Sequence, residues 1–474
     1  MTVELSEEVA PSFPTVRAAF AGRGMGDLLR VFAGATASSV FFFAVYTACN
    51  VITARRTDVR HAAFRWERHI PFVPVMIVPY MSIDLFFFIA LFVCRNRLER
   101  VDHARRIFLA ITLAGICFLL FPLTMSLTRP PPAGPFAAIF KFLYGFDKPY
   151  NLAPSLHITL RTLLWVVYIP NTRGIVRAAI KVWFILIGIS TVLTYQHQFI
   201  DLVTGQFLGL FCLHIFPPNS DGFRVRNRRI GNRYALGAMA TFTIAYLLRP
   251  WGLLLIWPGA SLAILAWTYL AAGPAVFRKR NGRLPLSTHV VLWPYLVIVR
   301  LVLIWHKQRE MQFSEVVPGV LIGRQLNRRE AAVLVKDGVT AALDLTAEFT
   351  ETYPLRSISY LSIPILDLTP PSEEQLDSSV AFLREHAGHG RVYVHCAWGY
   401  SRSACVVAAY LLATGQVASV REAISKIETV RPHIIMDDTH VKALQTFLEG
   451  LKRACQTSVD VDPGTGDQRN FVFK

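Results

Sequence analysis

Acidic residues are scarce over the first two thirds of this 474-residue sequence, and its cysteines are not paired. Residues 1–310 carry 33 Lys+Arg against 13 Asp+Glu, a balance of +20, whereas residues 311–474 carry 16 against 19, a balance of −3. A basic excess confined to the apolar part of a chain fits loops beside membrane spans. Nucleic-acid binding needs a basic face on a soluble domain, and none is visible, so no nucleic-acid partner is expected. The seven cysteines (49, 94, 117, 212, 396, 405, 455) show no paired spacing and no CxxC, so neither a disulfide framework nor a zinc site is suggested. No residue pattern calls for a metal or an organic cofactor. The N-terminus has three acids before its first arginine and no early apolar run, so no signal peptide is expected there.

What the sequence has in quantity is apolar length: 53% of its residues are hydrophobic. Candidate membrane spans fall at about 31–53, 70–94, 107–127, 155–170, 175–195, 198–216, 234–248 and 251–274. Each approaches the roughly 20 apolar residues that a bilayer demands. A further stretch, about 288–305, is short and holds Pro294 and Arg300, and it suits an interfacial or re-entrant helix. The arginine-rich loops after the second, fourth, sixth and eighth spans place those loops, the N-terminus and the C-terminal domain in the cytoplasm. One loop runs against the rule, with Arg55, Arg56, Arg60, Arg65 and Arg68 on the outer side. The expected protein is an integral multi-pass membrane protein of the cytoplasmic membrane. Asp84, in the second span, is expected to be a buried acid with a structural hydrogen bond.

Two polar clusters interrupt the apolar half. The first runs from Lys148 through Pro154, Ser155, Leu156 and His157; the second is Ser190, His197 and Asp201. His197 and Asp201 stand four apart, so a helix places them on one face. A carboxylate on one imidazole nitrogen fixes the tautomer and makes the other a better nucleophile. His157 could then protonate a leaving oxygen. The spacing alone is weak, since His433 and Asp437 share it in a soluble segment.

Taken together, residues 29–216 resemble the type 2 phosphatidic acid phosphatase superfamily, a helical membrane bundle. The family's PSGH motif stands here as Pro154-Ser155-Leu156-His157, and its SRxxxxxHxxxD motif as Ser190-Thr191 followed by His197 and Asp201. The resemblance implies His197 as nucleophile, Asp201 as its orienting partner and His157 as acid, with Ser155, Ser190 and Arg129 on the phosphate. Thr191 replaces the family arginine and Pro122 stands where its first lysine belongs. Two cations are therefore missing, and Arg129, Lys141, Lys148 or Arg161 could substitute. PSLH without that arginine is more similar to the inositol-phosphoceramide and sphingomyelin synthase branch, which passes phosphate to a lipid alcohol. A regulator whose inert membrane half anchors an active phosphatase is a third reading.

Residues 217–310 add spans and a linker with no legible chemistry. From Ser314 short β-rich runs alternate with helical ones, which implies an α/β domain with a mostly parallel sheet and its site at the strand C-termini. It is expected to cover 311–453, with a disordered tail at 454–474. Expected elements are a hairpin or edge strand at 316–323, strands at 339–345, 363–366 and 391–395, and helices at 328–336, 373–386, 403–413, 419–430 and 437–450, with Ser372 as an N-cap.

A cysteine six residues before an arginine occurs three times: Cys49/Arg55, Cys94/Arg100 and Cys396/Arg402. Only Cys396 has a histidine before it, a glycine three residues on, a serine after the arginine, and a strand-to-helix setting. The backbone of Ala397, Trp398, Gly399, Tyr400 and Ser401 can form an anion nest at a helix N-terminus. The same field favours the Cys396 thiolate. Arg402 can grip phosphoryl oxygens in a planar fork, and Ser403 can hydrogen-bond the departing thiolate. The leaving oxygen needs an acid. Asp367 follows a strand 29 residues before Cys396, whereas its rival Asp344 ends a buried strand.

These residues resemble the dual-specificity branch of cysteine-dependent protein tyrosine phosphatases, over about 314–450. The resemblance implies Cys396 as nucleophile, Arg402 as phosphate clamp and Asp367 as general acid. The loop interior, Ala397 to Ser401, carries no cation, which weighs against polyphosphoinositides. The expected function is bifunctional phosphate-ester chemistry. Its substrates would be a phospholipid or lipid phosphate in the membrane, with a phosphoprotein as a possible substrate of the cysteine site.

Overall fold

The computed structural model describes residues 24–215, 227–307 and 311–459. Most of the expected N-terminal tail, Arg224 and Arg226, and residues 460–474 lie outside the described residues. The chain forms two compact units, Met1–Phe216 with Gly237–Ala260, and Pro217–Leu236 with Ser261–Lys474.

The first unit is helical. Its helices span Met25–Ala54, Ile77–Val93, Arg97–Leu120, Ala137–Phe146, Leu156–Tyr168, Gly174–Leu193 and Phe199–Ile215. Ile83, Ala110, Ile111, Ala114, Leu163, Leu164, Phe184 and Ile187 pack its interior. The outward faces are apolar too: Leu85, Val182 and Ile185 are all exposed. Exposed aliphatic faces on long helices suit contact with lipid chains.

Among the described residues, five helices are long and apolar enough to cross a membrane: Met25–Ala54, Pro74–Val93, Arg97–Leu120, Gly174–Leu193 and Trp251–Ala272. That number is smaller than the eight expected spans. The fourth is only Leu156–Tyr168, because Ser155 caps its start and Pro170 follows its end. The sixth, Phe199–Ile215, is likewise short, and the seventh becomes Arg228–Leu247, whose first turn is arginine-rich. The third begins ten residues earlier than its apolar run, at Arg97, where the Asn96 side chain accepts from the Glu99 N–H at 2.8 Å. Asp84, expected to be buried, is exposed on the helix Ile77–Val93.

The second unit holds the apolar segment 261–307 and the α/β domain. The 288–305 stretch is two helices, Leu286–Val291 and Trp293–Lys307, broken at Leu292 before Pro294. The sheet has five strands: β1 Phe313–Val317, β2 Val320–Gly323, β3 Val339–Thr346, β4 Ser359–Ile365 and β5 Arg391–His395. Their order is β1-β2-β5-β3-β4, with only the β1–β2 hairpin antiparallel. Gly319 makes that hairpin turn at φ +84°.

Alternation along the strands sorts the core into two layers. Val392, Val394, Leu343 and Ile322 face one way, onto Leu376 and Leu383 of the helix Glu373–Ala387 and onto Val406 and Val407 of the helix Arg402–Ala413. Tyr393, Ala342 and Leu321 face the other, onto Leu334 and Leu355. A sheet covered on both faces explains its near-continuous apolar runs. The final helix, Asp438–Val459, runs six residues into the segment expected to be tail. The helix Tyr353–Arg356 carried no periodic signal, being a single turn.

Candidate active site

β5 is the middle strand, and the chain leaves it at His395 straight into the loop 396–401 and the helix Arg402–Ala413. The Cys396 Sγ accepts the Gly399 N–H at 3.2 Å and lies 3.4 Å from the Ser403 Oγ. Burial alone would raise the Cys396 pKa, but Arg402, Ser403 and the loop N–H groups outweigh it, so the thiol is held below its ordinary value. Cys405, in the helix Arg402–Ala413, is instead pushed up by burial and by the nearby Asp437.

Gly399 sits at φ +75°, and a Cβ there would lie 2.6 Å from the Gly323 carbonyl. The loop is braced from outside. Arg431, itself buried, donates from Nε to the Gly399 carbonyl at 2.9 Å and from Nη2 to the Trp398 carbonyl at 3.0 Å. The Ser401 Oγ meets the His440 Nε2 at 2.7 Å, and Asp437 holds the His440 Nδ1 at 2.6 Å. The i,i+4 pair His433 and Asp437 is therefore not the pair that forms.

Arg402 is 1% exposed and tied on several sides. It donates to Glu348 at 2.8 and 3.1 Å, to the Ile365 carbonyl at 2.9 Å and to the Asp367 Oδ1 at 3.1 Å. Burial would lower its pKa, but Glu348 and Asp367 raise it instead. The Asp367 carboxyl is held above its ordinary range by burial and by Glu348, against the pull of Arg402. Asp344 is fully buried and accepts from the Lys279 Nζ at 2.6 Å and the Tyr360 hydroxyl at 2.6 Å. His395 pairs through Nε2 with Glu351 at 3.0 Å; burial favours its neutral form, but Glu351 and Asp344 raise its pKa. Asp344, Glu351 and His395 are close enough to chelate a cation, yet the Lys279 ammonium already lies on Asp344.

The first unit brings the histidine residues together by another route. The His157 and His197 rings lie 5.8 Å apart between centroids, and the His197 Nδ1 is 3.4 Å from the Asp201 Oδ2. Both histidines line a small cavity with Tyr46, Tyr80, Asp84 and Asp147. Of the four substitute cations, Arg129 is bonded to a residue of that cavity wall, donating to the Asp147 carbonyl at 2.7 Å. Arg161 is bonded to Gln206, and Lys141 and Lys148 are exposed. Ser155 and Ser190 are not on that cavity wall. The Ser155 Oγ caps the Ile158 N–H at 3.4 Å, and the Ser190 Oγ donates to the Ile187 carbonyl at 2.7 Å.

Residues missed in the sequence are Glu348, Glu351, Lys279 and Arg431. Only Arg431 left a trace there, as an arginine before Pro432 where a helix ends.

Known proteins match the same domain. Residues 322–449 match the family model described as dual specificity phosphatase, catalytic domain. The C-terminal α/β domain is a dual-specificity phosphatase domain. The rat dual specificity protein phosphatase 12 is 32% identical over 129 residues, which cover 26% of this chain and 38% of that protein. The chain thus spans less than two fifths of that relative's length. The mouse phosphatidylglycerophosphatase and protein-tyrosine phosphatase 1 is 28% identical over 142 residues, covering 28% of this chain and 72% of that one. Among solved structures, PTPMT1 in complex with PI(5)P is 25% identical at a TM-score of 0.28, covering 31% of this chain and 99% of that chain.

Proposed function

We propose that the C-terminal domain hydrolyses phosphate monoesters through Cys396. The carrying observation is a buried Sγ that accepts the Gly399 N–H, with the Arg402 guanidinium in the same loop. The Cys396 thiolate attacks phosphorus while the oxygen–phosphorus bond to the leaving group breaks. Asp367 gives its proton to the leaving oxygen. Arg402 and the N–H groups of residues 397–402 hold the equatorial oxygens as charge develops. A water then attacks the phosphocysteine, the Asp367 carboxylate takes its proton, and the thiolate departs toward the Ser403 hydroxyl.

The preferred substrate is a lipid phosphomonoester. Helices long and apolar enough to cross a membrane support this reading, and one relative's name includes a lipid phosphatase activity. The chain in vesicles should release phosphate from a diacyl phosphomonoester faster than from a phosphotyrosine peptide. Faster release from the peptide would shift the reading to a protein phosphatase.

A second reading concerns the first unit, supported by the 5.8 Å approach of His157 and His197 with Asp201 beside them. The unit would carry histidine-dependent lipid phosphate chemistry, with His197 as nucleophile and Arg129 as the replacement cation. Product analysis separates its forms: free phosphate marks a hydrolase, and a new phosphodiester lipid marks a transferase. Neither product would leave that unit as an anchor.

A further inference from the structure

The loop that carries Asp367 is not held by the phosphatase fold alone. Leu368, next to Asp367, sits at φ +56°, a conformation that non-glycine residues adopt only where surroundings hold them. Two hydrogen bonds arrive on this dipeptide from the segment before the domain. The Tyr269 hydroxyl donates to the Asp367 carbonyl at 3.1 Å, and the Asn227 Nδ2 donates to the Leu368 carbonyl at 3.1 Å. The two donors are themselves joined, since the Asn227 N–H donates to the Tyr269 carbonyl at 3.1 Å.

Each donor has a fixed origin. Tyr269 lies in a π-turn, Thr268–Ala272, at the end of the apolar helix Trp251–Ala272, and such turns re-aim a side chain out of regular helical register. It is 3% exposed and stacks on Tyr234 at 5.7 Å. Asn227 caps the helix Arg228–Leu247 through its Oδ1, which accepts the Ile230 N–H at 3.2 Å. Its amide nitrogen is thereby left pointing at Leu368. Nearby the same segment grips the Glu348 side of the site: Lys279 on Asp344, and the Glu351 N–H on the Gly282 carbonyl at 2.7 Å.

We propose that Asn227 and Tyr269 are positioning residues for the general-acid loop, holding the Asp367 carboxyl on the Arg402 side of the pocket. The proposal rests on Asp367 being the acid. It ties proton delivery in the cysteine site to an apolar helix outside the matched domain.

The test uses the full chain in mixed micelles with two monoesters: p-nitrophenyl phosphate, which departs without a proton, and an alkyl phosphate, which needs one. The variants are Tyr269→Phe, which keeps the ring stack, and Asn227→Asp, which keeps the helix cap but loses the amide donor. Each should lower kcat on the alkyl phosphate about 5–10-fold, the loss expected for one hydrogen bond. The p-nitrophenyl rate should hold within about twofold, as a positioned acid matters only where a proton is needed. The alkaline limb of the alkyl-phosphate profile should move as well. Equal losses on both substrates, or no loss, would overturn the proposal while leaving the site intact. Asp367→Asn is the control. If it shows the leaving-group dependence and the two variants do not, only the clamp fails. If it shows none, the acid assignment fails and the clamp with it.

Discussion

The cysteine loop and the histidine pair differ in how each gathers its charges. In the cysteine loop the proposed nucleophile, the anion nest and Arg402 come from seven consecutive residues at one strand end. Glu348, Arg431 and His440 then brace what the loop has already assembled. In the helical unit nothing is local except His197 and Asp201. His157 comes from the helix Leu156–Tyr168, His197 lies just before the helix Phe199–Ile215 that carries Asp201 and so shares no helix face with it, and Arg129 already donates to Asp147. The contrast concerns preorganisation. Oriented donors that need not move when charge develops supply most of the rate in sites of this kind. The 3.4 Å separation of His197 and Asp201 is longer than a charge-assisted hydrogen bond of about 2.7–2.9 Å. If the proposed histidine chemistry operates, that pair tightens when the substrate binds.

The sharpest way to break the comparison is His197→Ala in the full chain. It should remove any phosphodiester lipid product completely and leave Cys396-dependent phosphate release unchanged. Loss of both activities would contradict two independent sites. Next in size is Arg402→Lys, which keeps the charge but loses the fork held by Glu348. It should lower kcat about 10³-fold, an upper-end loss for one transition-state stabiliser.

A pH profile of kcat/KM on an alkyl phosphate comes third. Activity needs the Cys396 thiolate, so it should rise with pH through a pKa below the ordinary thiol value. Activity also needs protonated Asp367, so it should fall as pH rises through a pKa above the ordinary carboxyl value. Asp367→Asn should remove the falling limb and cost about 10²-fold or more. A falling limb that persists would assign the acid elsewhere. The smallest expected effect is from Arg431→Met, which leaves the Trp398 and Gly399 carbonyls without their donor. It should lower kcat about tenfold and stability by about 1–3 kcal/mol, read from a denaturant titration.

The same contrast explains what could be read in the sequence. The six-residue spacing of Cys396 and Arg402 is one turn of chain, so its geometry follows from local rules. Strand alternation and capping did equally well: the helix Arg328–Lys336 and the Ser372 cap lie where pattern and cap chemistry put them. The partners of Arg402 and of the loop were hidden because they depend on closure over long separations. Glu348 lies 54 residues from Arg402, and Lys279 lies 65 from Asp344. Asn227 lies 141 residues from Leu368, in a segment whose sequence showed only hydrophobic length. Ser155 and Ser190 show a different limit. The motif resemblance implies a phosphate contact for each, whereas the hydrogen bonds each hydroxyl makes are local, Ser155 accepting the Ile158 N–H and Ser190 donating to the Ile187 carbonyl.

The central claim, hydrolysis through the Cys396 thiolate, is tested most directly by acid-quenching the full chain during turnover of a ³²P-labelled monoester. The account predicts label on Cys396 in the wild type, and neither label nor phosphate release in Cys396→Ser. Phosphate release by Cys396→Ser at the wild-type rate would contradict it.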